Sequence, residues 1–444
     1  MKAWPLVLSL GAFVAGFPSV DNLHHAGLHS HKKAAKRCPL QDMQDELINA
    51  LKDQHDKRFL FSSMDIPIDI TGEHEFQPPD FANGDQRGPC PGLNALANHG
   101  YIPRSGIAPF GKVIHAINEV YGMGLDLALI LAIMGTVWTG NPLSVDPGFS
   151  IGGRDTGVNN ILGNGLNLLG EPRGLQGSHN FIEADSSNTR DDLYVTGNAW
   201  TMNMTLFKEW YDMSEDGTFS MDLMAERAAI RFEQTKASNP DFYYGPVTGL
   251  IARNAGYIFP ARLFRNHSQE LPEGVLTKEI VRNFFAVYGD EDSLEYREGW
   301  ERIPENWYRT PVDWGLLNLN VDVMDWVAKH PELGSIGGNT GTVNSFVGLD
   351  LSDMTGGVFN LATLLKDNNL LCFVFEILKF LSPNALGGLY ETLTTPLELL
   401  TDALKIPLLD LACPALEDLT MDGKPLWEAL EQLFPGALKS SSAL

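Results

Sequence analysis

Apolar residues recur at three- and four-residue spacings over much of the chain, the signature of helices that bury one face. The pattern predicts helices over Asp42–Gln54, Gly111–Val120, Asp222–Ser238, Thr277–Tyr288, Val321–Lys329, Leu361–Leu381 and Tyr390–Leu404. The stretch Asp222–Ser238 adds good helix formers to the periodicity. Leu125–Val137 is apolar on every side apart from Asp126 and reads as a helix buried all round. At about 13 residues it falls short of the roughly 20 that a membrane span needs. Strand-like alternation is scarce; one short instance lies near Asp192–Val195. The segments 139–180 and 289–320 are long, rich in Gly, Pro and Asn, and carry no periodicity. Long ordered loops of this kind are commonly functional. No internal repeat appears, and no low-complexity linker divides the chain after residue 38. The expectation is one mainly α domain over residues 38–436, with long loops and little β, and a flexible tail over 437–444.

The N-terminus follows a different pattern. Met1-Lys2 precedes an apolar run from Trp4 to Phe17 that ends near the small pair Ala15-Gly16. This is the layout of a secretory signal peptide over 1–17. Residues 18–37 contain four histidines, few core-forming residues and a terminal Lys36-Arg37 pair. They read as a propeptide removed at a dibasic site. The chain is therefore expected to be secreted and extracellular, where disulfides and N-glycans are permitted. Two acceptor sequons stand at Asn203 and Asn266.

Composition narrows the field further. The 444 residues are 44% hydrophobic and 20% charged, enough for a sizeable core. Lys plus Arg number 32 against 56 Asp plus Glu, a net charge of -24. Nucleic-acid and anionic-membrane partners need a basic face and are excluded as the main ones. Loss of residues 1–37, which carry five basic side chains and one acidic one, would make the chain still more negative.

Three stretches carry candidate chemistry. In Gly88-Pro89-Cys90-Pro91-Gly92-Leu93-Asn94 a cysteine sits between two prolines. Pro91 suits a first helical position, and Leu93, Leu96 and Ala97 follow at helical spacing. Cys90 would then lie at a helix N-terminus, where free amides and the dipole favour a thiolate. A metal-ligating thiolate and a buried structural thiol both fit; a Cys90–His99 nucleophile has no protease signature behind it. The second stretch, Glu183-Ala184-Asp185-Ser186-Ser187, packs carboxylates and hydroxyls as a hard cation such as Mg²⁺ prefers. A helix cap or polar turn would use the same residue types. The third, Gly148-Phe149-Ser150-Ile151-Gly152, matches the nucleophile elbow of serine hydrolases. Its flanks, Asn141-Pro142 and Asp146-Pro147 before and Gly152-Gly153 after, do not supply the strand and helix that elbow requires. The Gly334–Gly341 segment likewise lacks the context of a nucleotide-binding loop.

The Pro-Cys-Pro segment and the acidic segment at this separation resemble the secreted fungal haem-thiolate peroxidases, which include chloroperoxidase and the unspecific peroxygenases. The similarity runs on through Phe207–Phe242, Phe259-Pro260-Ala261 and Arg302–Pro311, and covers most of the chain beyond the leader. It implies haem b, with Cys90 as the axial thiolate and Pro89, Pro91 and Asn94 shaping its segment. A thiolate ligand favours O–O cleavage of peroxide. It implies Mg²⁺ held by Glu183, the Ala184 carbonyl and Ser187, with Asp185 behind them. The implied activity is oxidation or oxygenation of small organic substrates, and halide, by hydrogen peroxide. The alternative within the family is a haem binder with weak peroxide chemistry that serves one biosynthetic pathway.

One departure from the family pattern stands out. Longer members of the family carry an arginine and, seven residues on, a proton-moving glutamate three residues before a Phe-Pro pair. Counting back from Phe259-Pro260 places Gly256 and Gly249 at those positions. Arg253 lies between them, and on an α-helix it would share their face. Arg253 is therefore the replacement expected on the distal side, with Glu270 or His267 reaching in from the following loop and Phe259 shaping the channel. The resemblance also implies a Cys372–Cys413 bridge, worth roughly 3–4 kcal/mol by chain entropy. Cys38 is left over, in a monomer or in a dimer linked through it.

Overall fold

The computed structural model describes residues 65–141, 146–158, 172–350, 355, 360–364, 369, 370, 372, 373, 420, 421 and 424–440. All belong to the compact unit Leu47–Leu444; the other unit, Met1–Glu46, lies outside them. The signal peptide, the propeptide, Cys38, Cys413 and the helices expected over Asp42–Gln54 and Tyr390–Leu404 fall outside the described residues. So does most of Leu361–Leu381, of which Leu361–Leu364 forms a helical turn.

Helices dominate. They are α1 (Pro91–Asn98), α2 (Phe110–Tyr121), α3 (Leu125–Trp138), α4 (Met204–Asp212), α5 (Met221–Ser238), α6 (Asn254–Leu263), α7 (Lys278–Phe284), α8 (Leu316–Lys329), α9 (Leu426–Leu433) and α10 (Pro435–Ser440). The strands are two or three residues long, paired antiparallel in small ribbons. Strand β1 (Ile107–Pro109) pairs with β2 (Gly148–Ser150), and β3 (Tyr243–Tyr244) pairs with Gly337–Gly338. Such short ribbons tie loops together and do not form a layer of the core.

Local chemistry explains the helix boundaries. Ser220 caps α5 by accepting the Leu223 N–H at 3.1 Å, with Asp222 in the first turn and Lys236 in the last. Asn203 caps α4 by accepting from the N–H groups of Thr205 and Leu206. Thr277 caps α7 in the same way. α2 and α3 pack together with Val113, Ile114, Ile117, Leu127, Ile130 and Ile133 buried in the core. Asp126 stays soluble in this apolar setting by accepting the N–H groups of Leu127 and Leu316.

Two readings change. The segment near Asp192–Val195 is not a strand: Leu193–Thr196 is one helical turn, closed by Gly197 in the left-handed region. Ser150 is the last residue of β2, 1% exposed, and the described residues 151–158 that follow it form bends and turns; its hydroxyl accepts the Gly152 N–H at 3.2 Å. The nucleophile-elbow reading of Gly148-Ser150-Gly152 is thereby overturned.

His99, at the end of α1, is buried and held on both sides. Its Nδ1 donates to the His74 carbonyl at 2.7 Å, and its Nε2 accepts the Ile303 N–H at 3.1 Å. That geometry requires a neutral ring, and burial pushes its pKa from 6.5 down to about 4. Because the folded value lies below the unfolded one, the contribution to stability is complete above pH 6.5 and is lost as pH falls towards 4. The loss is about 3 kcal/mol. Thermal melts should therefore fall steeply across this window, and His99→Gln should flatten that slope while lowering the melting temperature at neutral pH. An unchanged slope in His99→Gln would refute the assignment.

Candidate functional site

Cys90 is the N-cap of α1, extended at φ -92°, ψ 107°, with Pro91 as the first helical residue. The helix start leaves its first N–H groups, those of Gly92 and Leu93 among them, without helical acceptors. Burial pushes the thiol pKa up; those two amides and Arg190 pull it down, and Glu301 pushes it up. The loop before the helix is closed by Asn94. Its Oδ1 accepts the Gly88 N–H and its Nδ2 donates to the Gly88 carbonyl, both at 3.0 Å. Tyr121 fixes the first turn from α2 through a 2.8 Å bond to the Gly92 carbonyl. Pro89, Pro91 and Asn94 therefore immobilise the sulfur, and Cys90 is a free thiol. His99 is bonded elsewhere, so no Cys90–His99 pair exists.

The acidic segment forms a tight buried turn. Ser186 takes φ 65°, and its N–H donates to Asp192 at 2.8 Å. His179, four residues ahead of Glu183, donates Nδ1–H to Glu183 Oε2 at 2.5 Å, and its Nε2 lies 3.6 Å from Asp185 Oδ1. Burial would lower the imidazole pKa, but Glu183 and Asp185 override it and hold the ring at about 9. Burial and the neighbouring Asp192 push Asp185 up. Asp185 Oδ2 also accepts the Tyr243 N–H at 3.2 Å. Glu183 Oε1 is left buried without a hydrogen-bond partner. Among the described residues no three His, Cys, Asp or Glu side chains gather as a metal cluster. A cation here would draw on the orphaned Glu183 oxygen together with neutral oxygens of the turn. The sequence offered a signal for His179, the four-residue spacing to Glu183, which went unread.

Arg253 holds this turn in place. Its Nε donates to the Ser186 carbonyl at 3.1 Å and its Nη2 to Ser186 Oγ at 2.8 Å and the Ala228 carbonyl at 2.5 Å. Nη1 donates to Asn254 Oδ1 at 3.0 Å, and the guanidinium stacks over Tyr257. Arg253 is 4% exposed, with every nitrogen engaged. The distal reading of Arg253 therefore does not hold. The reason lies in the backbone: Thr248–Arg253 is a π-helix, with Leu250 bonded to Gly245 and Ala252 to Val247. The angular arithmetic of an α-helix does not apply to it. Glu270 is also corrected: it is exposed on the loop after α6 and does not turn inward. His267 is buried, with Nδ1 2.9 Å from the Pro272 carbonyl.

The two glycines differ in kind. A Cβ on Gly249 would lie 2.6 Å from the ring of Tyr244, whose hydroxyl is anchored to Asn254 and the Leu333 carbonyl. That place is filled. A Cβ on Gly256 would meet nothing within 4 Å. Gly256 stands one turn before Phe259, whose ring packs edge-on to Trp314 at 5.9 Å between centroids. α6 thus presents an open position beside an aromatic wall.

Both sequon asparagines use their side-chain amides in the fold. Asn203 caps α4 and donates to Asp191 at 2.9 Å, and Asn266 Oδ1 accepts the Tyr308 N–H at 2.8 Å. A glycan on either would compete with these bonds.

A family model described as Peroxidase, family 2 matches residues 74–312. An aromatic peroxidase of Fusarium equiseti is 55% identical over 444 residues, spanning 99% of this chain and 99% of its own. A dothistromin biosynthesis peroxidase of Dothistroma septosporum is 38% identical over 371 residues, 81% of this chain and 87% of its own. An aromatic peroxygenase of Cyclocybe aegerita is 29% identical over 322 residues, 71% of this chain and 76% of its own.

Proposed function

The chain belongs to the family 2 peroxidases, and from that membership we propose a secreted haem-thiolate enzyme in which Cys90 holds the iron. It is a peroxide-using oxidoreductase acting on organic substrates, and a haem cofactor is implied. The observation that carries the assignment to Cys90 is its place as the N-cap of α1, followed by Pro91 at the first helical position and bearing a free thiol. When bound, haem b would supply the redox centre that reacts with hydrogen peroxide. The protein's part is to hold the sulfur rigidly through Pro89, Pro91 and Asn94 at the positive end of α1. Phe259 and Trp314 would orient an apolar or aromatic substrate beside Gly256. Because position 256 has no side chain, the protein itself moves no proton there.

Mg²⁺ is proposed on Glu183, the Ala184 carbonyl and Ser187, supported by the orphaned Glu183 oxygen, with Asp185 behind them. His179 already neutralises part of the acidic charge, so the cation would serve to fix an external carboxylate against the turn. A Cys372–Cys413 bridge is supported by the disulfide-bonded state of Cys372. Secretion is supported by the leader pattern of residues 1–37. Among the described residues, no helix is long and apolar enough to cross a membrane. The assay that tests the function supplies purified haem-loaded protein with hydrogen peroxide and an aryl substrate. Product should form in proportion to enzyme and disappear in Cys90→Ala; equal product from Cys90→Ala would overturn the role of the thiolate.

A further inference from the structure

Beside Cys90 lies a buried charged pair that the proposed function leaves without a role. Glu301 is 0% exposed, and both of its carboxylate oxygens lack a hydrogen-bond partner. Arg190 is also buried, its Nη1 donating to Thr189 Oγ1 at 2.6 Å and its Nε unpartnered. Leaving a buried carboxylate unsatisfied is costly, so a fold that keeps one has a use for its charge or holds water against it.

The placement of Glu301 follows from α1. Cys90, Asn94 and Asn98 are spaced four residues apart along the helix, and so fall on one face. Asn98 Nδ2 donates to the backbone carbonyls of Gly299 and Glu301, both at 2.7 Å. Arg87 locks Asn98 in turn, with Nε and Nη2 on its Oδ1 at 2.9 and 2.8 Å. The backbone of Glu301 is thereby clamped to the C-terminal end of this face. Asn94 stands between that clamp and Cys90 on the same face. The charged side chains that act on the Cys90 sulfur are Arg190 and Glu301, in opposite senses.

We propose that Glu301 and Arg190 are positioning residues that set the reduction potential of the iron held by Cys90, through their opposed buried charges. The inference rests on the reading of Cys90 as the iron ligand. A negative charge near the iron favours its more oxidised state, and a positive charge favours the reduced one. Neither side chain has to touch substrate or peroxide.

The test is the midpoint potential of the one-electron reduction of the haem-loaded protein, measured at pH 8 by spectroelectrochemistry. Glu301→Gln, which keeps shape and removes charge, should shift the potential upward, and Glu301→Asp should stay near wild type. Arg190→Gln should shift it downward. Shifts of opposite sign set this role apart from loosened packing, which would move both variants the same way. An unchanged potential in Glu301→Gln, or a shift of the same sign in both variants, overturns the inference. If Arg190→Gln fails to fold, the Gln and Asp variants of Glu301 decide alone. The reduced carbon monoxide spectrum of the wild type separates the two claims: without a thiolate-type band the Cys90 reading itself fails. With that band present and potentials unmoved, only the role of Glu301 and Arg190 fails.

Discussion

Gly256→Glu should raise peroxide-dependent turnover by about 100-fold. General acid–base catalysis by a positioned side chain contributes roughly 10²–10⁴-fold. On this chain the position that would carry it is empty, and a Cβ there meets nothing within 4 Å. The substitution also replaces a glycine inside α6, where glycine costs roughly 0.5–1 kcal/mol relative to alanine. The variant should therefore fold at least as well as wild type. The gain should appear in kcat/KM for hydrogen peroxide, with a pH dependence following the ionisation of the new carboxylate. A wild-type rate in well-folded Gly256→Glu would mean that proton transfer already has another provider. The matching change at Gly249 has no such prospect, because the ring of Tyr244 occupies the space.

The second large effect concerns Arg253 and separates scaffold from catalyst. Replacing Arg253 with Leu removes its bonds to the Ser186 carbonyl and hydroxyl, the Ala228 carbonyl and Asn254, all deep in the fold; the Ser186 carbonyl keeps the Tyr257 hydroxyl and Asn254 keeps that of Tyr244. Hydrogen bonds to charged groups contribute about 1.5–3 kcal/mol each, and buried acceptors left alone carry a further penalty. The expected loss is at least about 3 kcal/mol, read from the midpoint of denaturant unfolding. Activity per folded molecule should change much less than stability. A fully stable Arg253→Leu protein with abolished turnover would restore the distal role that the geometry denies it.

Both expectations show what the sequence could and could not convey. Cys90 was legible because proline and helix periodicity are local signals: Pro91 at the first helical position fixes the cap. The helices Phe110–Tyr121, Leu125–Trp138 and Met221–Ser238 were legible from apolar spacing. α8 begins at Leu316, five residues before the expected Val321, because Gly315 and Asn318 set its start. The place of Arg253 is not legible, because a π-helical turn has no marker in residue type and one changed turn rotates every later side chain. Glu270 is near Phe259 along the chain and not in space, and nothing in the sequence separates the two. Glu301 and Tyr244 carry no sequence signal at all. Their roles arise from contacts across the fold: Asn98 reaches Glu301 over about 200 positions, and Tyr244 meets Gly249 by turning back on its own segment.

The central claim is that the Cys90 sulfur, placed at the start of α1, is the ligand of a haem iron. The most direct measurement is the absorption spectrum of the purified haem-loaded protein, reduced and saturated with carbon monoxide, for wild type and Cys90→Ser. The wild type should show the red-shifted Soret band of a thiolate-ligated ferrous haem, and Cys90→Ser should lose it. The same band in both proteins, or in neither, would contradict it.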